Sequence, residues 1–339
     1  MNKPQLKTTT LPLHPPHRPR FTGLVGLGVF LCALLGFSAP AQAMSSLKCF
    51  GVGAAEAFFP GVGYLYTEQY GKAAALGGGN WYFMNSAFKA FQDQDTNDSY
   101  DQTYQWVEKK DSTLNKNEFY YNYNQGDWQE EFSFGMSLNF TFISIADMYR
   151  GGCEHNPETA QLALAPVRFD HFLSNWMFYP PVLYWAWKHN DIQKNTHTEI
   201  NLGRGLKASR VFNEGVVLDY TTGIAEEMLL RGTIQQSLFN WFSTEELMSP
   251  EAARHSSIFL TAAALGGGSS GSRATEVFLL DLYQGYTYHP KLDEQDLMTT
   301  IAIHSWTNML VSYWMIKQAK VTETNQKLEV PLLQLSFNY

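Results

Sequence analysis

The chain has 339 residues, only 17% of them charged, with 15% aromatic residues and a formal net charge of −8. A soluble enzyme usually carries about 25% charged residues, and a scarcity of charge beside abundant Trp, Tyr and Phe suits a membrane protein with aromatic belts. An acidic chain with no basic stripe interleaved with aromatics argues against nucleic-acid binding, which depends on neutralising phosphates.

Residues 1–43 hold Lys3, Lys7, Arg18 and Arg20 and no acid. A basic, Pro-rich stretch to Arg20, an apolar run from Leu24 to Ala39 and the small-x-small triplet Ala41-Gln42-Ala43 read as a signal peptide cleaved after Ala43. The alternative is an uncleaved first span, which the short apolar core and Pro40 disfavour. Both readings put the chain in the export pathway of a bacterial cell envelope, with the inner membrane as the expected location. Cleavage leaves Cys49 and Cys153, which could form one disulfide or remain buried thiols.

Phe50–Tyr66 and Lys72–Phe91 are apolar and rich in small residues, and the polar link Thr67 to Gly71 is short. They predict a helical hairpin whose Gly and Ala residues let helices approach closely. Its Pro60-Gly61-Val62-Gly63 opening and Tyr-rich turn resemble short membrane-hairpin modules. Gln92 to Glu131 has no arginine and more acids than lysines. It is expected to be an irregular polar loop outside the cytoplasm.

Phe132–Tyr149 predicts a third helix and Phe172–Trp187 a fourth, broken by Pro180-Pro181. Lys188 to Arg210 carries an excess of basic residues and is expected to be a cytoplasmic loop. Val216–Phe242, Ser256–Leu265, Thr275–Tyr288 and Leu297–Ile316 predict four more helices, with the Gly-Ser run after Leu265 as a connection. The last residues, Leu333 to Tyr339, alternate as in the closing strand of a barrel, but the rest of the chain reads as helices. The expected fold is therefore all-α. It is a polytopic transmembrane bundle with a signal peptide at 1–43, a membrane hairpin, polar loop and third helix at 44–160, a core at 161–320 and a tail at 321–339.

Two charged or polar patterns interrupt the apolar helices. The first is Glu226-Glu227-Met228-Leu229-Leu230-Arg231-Gly232. A charge at membrane depth costs about 2.5–3.5 kcal/mol on insertion scales, so it needs a partner or a function. Glu227 and Arg231 are four apart and share a helix face, whereas Glu226 is rotated by about 100° and left for another purpose. The second pattern is His304-Ser305-Trp306-Thr307-Asn308, in which His304 and Asn308 project to one side of the last helix. Alone, the first reads as a solvated acidic patch and the second as a satisfied core histidine.

Together, and in this order, the two patterns resemble the CAAX-protease and bacteriocin-processing (CPBP) family of glutamate-type intramembrane proteases, over about Asp219 to Met315. The glycine after the arginine and Gly285-Tyr286 before the last helix also match. The resemblance implies an intramembrane endopeptidase acting on a peptide or protein substrate in or near the membrane, in contact with membrane lipid. Glu226 would activate water, Glu227 and Arg231 would form a structural ion pair, and His304 and Asn308 would stabilise the oxyanion. No cofactor or metal is implied.

One position departs from the family pattern, which places Phe-x-x-x-His between these motifs. Here the stretch is Phe259-Leu260-Thr261-Ala262-Ala263, with Ala263 in place of the histidine. His255 and His289 are distant substitutes in sequence. A catalytically inactive relative serving as a binding, immunity or scaffold protein is the alternative, and a transporter with buried carboxylates a weaker third. If the signal is cleaved after Ala43, N-terminal sequencing of the membrane-extracted protein will begin at Met44.

Overall fold

The computed structural model describes residues 43–96, 109–111, 116–123, 125–150, 158–202, 206–244, 247–266, 272–318, 320–323 and 326–327. The expected signal peptide, Cys153 and the alternating C-terminal residues lie outside them. Helices dominate, as expected, and a small sheet joins them.

Helix α1, Ala43–Phe58, ends at Pro60-Gly61, and α2, Val62–Tyr66, starts immediately after. Gly61 has φ 95, a left-handed conformation that glycine adopts without strain. The buried Glu56 carboxylate closes this turn by accepting from the backbone N–H of Gly61 at 2.7 Å and Gly63 at 2.6 Å. It therefore satisfies donors that the start of a helix leaves open. Helix α3 runs through Tyr70–Lys72, a π turn at Ala73–Gly77, and Gly78–Thr96. A Cβ on Gly77 would come within 2.5 Å of the Gly61 Cα, so the two arms of the hairpin touch backbone to backbone there.

The arms otherwise pack on a third helix, α4, Gln125–Tyr149. Buried hydrogen bonds fasten them. Tyr64 Oη donates to Asp147 at 2.8 Å, Lys72 Nζ reaches the same carboxylate at 2.9 Å, and Asn80 Nδ2 donates to the Ser137 carbonyl at 2.8 Å. Beyond α4 come α5, Glu158–Ala163, and α6, Phe169–Phe172, and then α7, Tyr179–Asn195. Pro180 and Pro181 do not break a helix as expected. They sit in the first turn of α7, where proline's missing N–H costs nothing.

The basic segment expected to be a loop continues α7 to Asn195 and then forms a strand, Thr196–Leu202. The polar segment expected to be irregular supplies two more strands, Lys109–Asp111 and Lys116–Tyr123. Numbered in chain order, with Lys320–Glu323 and Gln326–Lys327 as the last two, they form a sheet β1-β2-β3-β4-β5. β2, β3 and β4 are parallel, with Asn117 opposite Thr196 and Glu199 opposite Lys320. The outer pairs are antiparallel. The aromatic run Phe119-Tyr120-Tyr121 suits a strand, but the partners lie so far apart in sequence that local pattern does not reveal the pairing.

Helix α8, Ala208–Leu229, passes into a π turn, Leu230–Gln235, and continues as α9, Gln236–Thr244. α10 is Pro250–Gly266, α11 Ser272–Tyr288 and α12 Leu297–Gln318. α8 is central, packed on α4 and α12, while α10 and α11 pair with each other. The main core joins α4, α8 and α12 through Ile143, Ala146, Ile224, Met228, Leu297 and Ile301.

Among the described residues, no helix is long and apolar enough to cross a membrane. Inward-facing polar groups such as Asn139, which donates to Thr221 at 2.9 Å, dilute the apolar stretches. Outward faces carry large exposed apolar side chains, among them Phe58, Phe59, Trp81, Tyr82, Phe88 and Trp187.

The α8–α12 crossing is set by Gly223. A Cβ there would meet Ser305 Oγ at 2.3 Å and the Ser305 backbone N at 2.5 Å. Backbone cannot give way as a flexible side chain can. Gly223→Ala is therefore expected to destabilise by about 1–3 kcal/mol through overpacking. Gly71→Ala, where nothing lies within 4 Å, is expected to be neutral or stabilising. Thermal unfolding of both variants checks the contrast.

Candidate active site around Glu226, Glu227 and His304

The close approach at Gly223 brings the next turn of α8 against α12. Ser305 Oγ donates to the Tyr220 carbonyl at 3.1 Å and fixes the register. In that register His304 faces the two glutamates. Its Nδ1 lies 2.7 Å from Glu227 Oε1, and its Nε2 lies 3.4 Å from Glu226 Oε2. The imidazole thus has a carboxylate at each nitrogen.

The two carboxylates differ in environment. Glu227 is fully buried, whereas the Glu226 side chain is 40% exposed. The ring, with its side chain 15% exposed, lies between an interior anchor and an open neighbour. A buried carboxylate needs compensation, and Arg231 supplies it. Arg231 Nε donates to Glu227 Oε2 at 3.3 Å across the expected four-residue spacing. Arg231 is itself fully buried, and its Nη2 donates to Asp281 of α11. Asp281 is not among the residues expected from sequence. Its signal is nevertheless present, as a lone carboxylate in Val277-Phe278-Leu279-Leu280-Asp281-Leu282.

Arg231 lies in the π turn, and π turns occur often at functional sites. Local groups fit the irregular backbone. Thr233 Oγ1 donates to the Met228 carbonyl at 3.0 Å, and Arg150 Nη1 donates to the Gly232 carbonyl at 3.2 Å. A Cβ on Gly232 would lie 2.9 Å from that Arg150 nitrogen and 3.0 Å from Leu297 Cδ2, so a larger residue there would displace the tips of these side chains. Gly285 plays a similar part on α11. A Cβ there would come within 2.7 Å of Ile258 Cγ2, and its carbonyl accepts from Gln235 Nε2 at 3.2 Å.

The structure therefore brings together Glu226, Glu227, Arg231 and His304. Asn308, one turn further along α12, is partly buried and does not join the hydrogen-bonded cluster. Further along α8, the Oδ2 of Asp219 is buried without a hydrogen-bond partner among the described residues.

Neither histidine weighed as a substitute for the one absent at Ala263 is engaged with Glu226. His255 is exposed on α10, with Nδ1 2.7 Å from Tyr286 Oη and Nε2 3.1 Å from Glu251. The Arg254 guanidinium bonded to Glu251 holds that carboxyl below its ordinary range. His289 is buried after α11, with Nε2 3.0 Å from the Leu292 carbonyl and its ring edge-on to Phe239. Burial pushes its imidazole below the ordinary histidine range.

Among the described residues, no group of three or more His, Cys, Asp or Glu side chains is arranged to hold a metal ion. A cleft of about 350 Å³ lies at the hairpin, lined by Pro60, Leu65, Tyr70 and Trp81 among others. It is apolar and carries none of the site residues discussed above.

No family model, no curated protein and no solved structure matches the chain.

Breaking a buried charge network by removing one partner costs about 3–5 kcal/mol. Arg231→Met, which leaves Glu227 and Asp281 facing each other without a cation, is expected to lose that much stability. Adding Asp281→Asn should recover part of the loss. A double-mutant cycle by thermal unfolding measures the coupling.

Proposed function

We propose that the chain is a glutamate-type endopeptidase that hydrolyses a peptide bond at or within a membrane. The observation that carries this reading is the imidazole of His304, anchored by buried Glu227 and facing the partly exposed Glu226 carboxylate at 3.4 Å. An oriented imidazole beside an accessible carboxylate is a working arrangement for moving protons. It is less readily explained as a packing device, because a core histidine needs no second carboxylate.

In the proposed reaction Glu226 takes a proton from water as the water oxygen bonds to the scissile carbonyl carbon. His304, held as the imidazolium by a carboxylate at each ring nitrogen, keeps its Nδ1–H on Glu227 and donates its Nε2–H to the carbonyl oxygen as negative charge develops there. Asn308 is the second proposed donor, once substrate fills the space beside it. The proton on Glu226 then passes to the leaving amide nitrogen as the C–N bond breaks. Glu227, held by Arg231, keeps the ring oriented throughout. The residues named need no cofactor.

The exposed aromatic side chains on the outer faces support contact with lipid, since patches of this kind mark membrane or protein interaction surfaces. So does the inward placement of the charges. The substrate is then a peptide or protein segment presented at the bilayer of a cell envelope, consistent with the export signal expected at the N-terminus.

Ala263 favours a second reading, in which an inactive relative keeps the architecture and binds a membrane partner. Comparison of membrane proteomes from cells carrying wild type, Glu226→Gln and His304→Gln separates the two. An active protease gives cleavage products that fall by about 10²–10⁴-fold in both variants, with insertion and abundance unchanged. Identical product profiles in all three would leave the binding protein as the reading.

A further inference from the structure

Arg231 has zero exposure, its Nη1 has no hydrogen-bond partner among the described residues, and its charge is shared between two carboxylates on different helices. Glu227 uses one oxygen for Arg231 Nε and the other for His304 Nδ1. Asp281 takes Arg231 Nη2. The more strongly Asp281 draws the guanidinium, the less of its attraction is left for Glu227.

A carboxylate whose charge is drawn toward a guanidinium is a weaker acceptor for its other partner. In a buried site this matters more than in water, because the lower dielectric strengthens each interaction and hydrogen-bonded groups polarise one another. We propose that Asp281 is a positioning residue that, by sharing Arg231 with Glu227, sets how tightly Glu227 holds the Nδ1–H of His304. Asp281 is hydrogen-bonded to Arg231 and not to His304 or Glu226; its charge also reaches the ring through space, and the route proposed here is the one through Arg231 and Glu227. The proposal takes His304 as a working residue of the site, and so rests on the protease reading for its consequence. Its first test does not need hydrolysis.

The protein is labelled with ¹⁵N-histidine, extracted in detergent, and its imidazole resonances are recorded. His304 is identified by the signal lost in His304→Gln, and Glu227→Gln shows where that signal moves when the acceptor weakens. Asp281→Asn, with a wild-type helical circular dichroism spectrum, is expected to move the His304 Nδ1–H resonance upfield, in the direction of Glu227→Gln. Asp281→Glu keeps the charge and displaces it by one methylene, and is expected to give a smaller shift of the same sign. It is the variant to measure should Asp281→Asn fail to fold. A His304 resonance identical to wild type in whichever variant folds overturns the proposal, and so does an Asp281→Asn shift that is undiminished in the Glu227→Gln background, which would mark direct action of the charge on the ring.

Product formation is followed in the same samples. Absence of hydrolysis in wild type would remove the protease reading while a moved resonance upholds the coupling. An active wild type with an unmoved resonance would remove the coupling and leave the protease.

Discussion

A fully buried arginine governs this architecture. Arg231 cannot shed its charge, so its carboxylate partners must be brought to it, and α8 and α11 are positioned to do so. Such a network is held at the expense of stability, because desolvating several charges often costs as much as their attraction returns. What the fold gains is an interior whose electrostatics are fixed. Glu227 can then be wholly buried and still hold one nitrogen of His304, while Glu226, its neighbour in sequence, reaches toward the outside.

The same site depends on how closely two backbones can approach. Gly223 lets α8 lie against Ser305 of α12, and Ser305 directs its hydroxyl to the Tyr220 carbonyl rather than to a neighbouring turn. The missing side chain lets the two backbones approach this closely, and the hydrogen bond between the helices fixes their register. The hairpin repeats the device at Gly61 and Gly77, with Glu56 covering the exposed amides of the turn. Close packing and buried polar closure therefore occur together at both places.

Much of this is written locally. The helices follow from apolar runs bounded by Pro, Gly and charge. Glu227–Arg231 follows from four-residue spacing on one face, and His304 from its place in the last helix. Asp281 is visible only as an unexplained charge, since nothing near it in sequence says which helix will supply the cation. The strands escape a sequence reading because they are short and set in polar surroundings; Thr196–Leu202 alternates Thr, Thr, Ile and Leu with His, Glu and Asn, but over only seven residues. Their pairing comes from partners about 80 and 120 residues away, a relation that periodicity does not encode. The π turn at Leu230–Gln235 is likewise illegible, because its sequence suits an α-helix and tertiary contacts such as Arg150 to Gly232 select the wider turn. The absent histidine at Ala263 is legible, and the structure adds that His255 and His289 are occupied elsewhere.

The small sheet has a mechanical consequence. β3 leads into α8 and β4 follows α12, and the two strands lie side by side from Glu199 opposite Lys320 to Leu202 opposite Glu323. The two helices that carry the glutamates and the histidine are thus fastened twice, once by the Gly223 crossing with its imidazole contact and once by strand pairing beyond their far ends. A pair of rods pinned at two points cannot scissor. Movement in this part of the molecule is therefore left to the helices packed around the pair, such as α7 and α11 against α12.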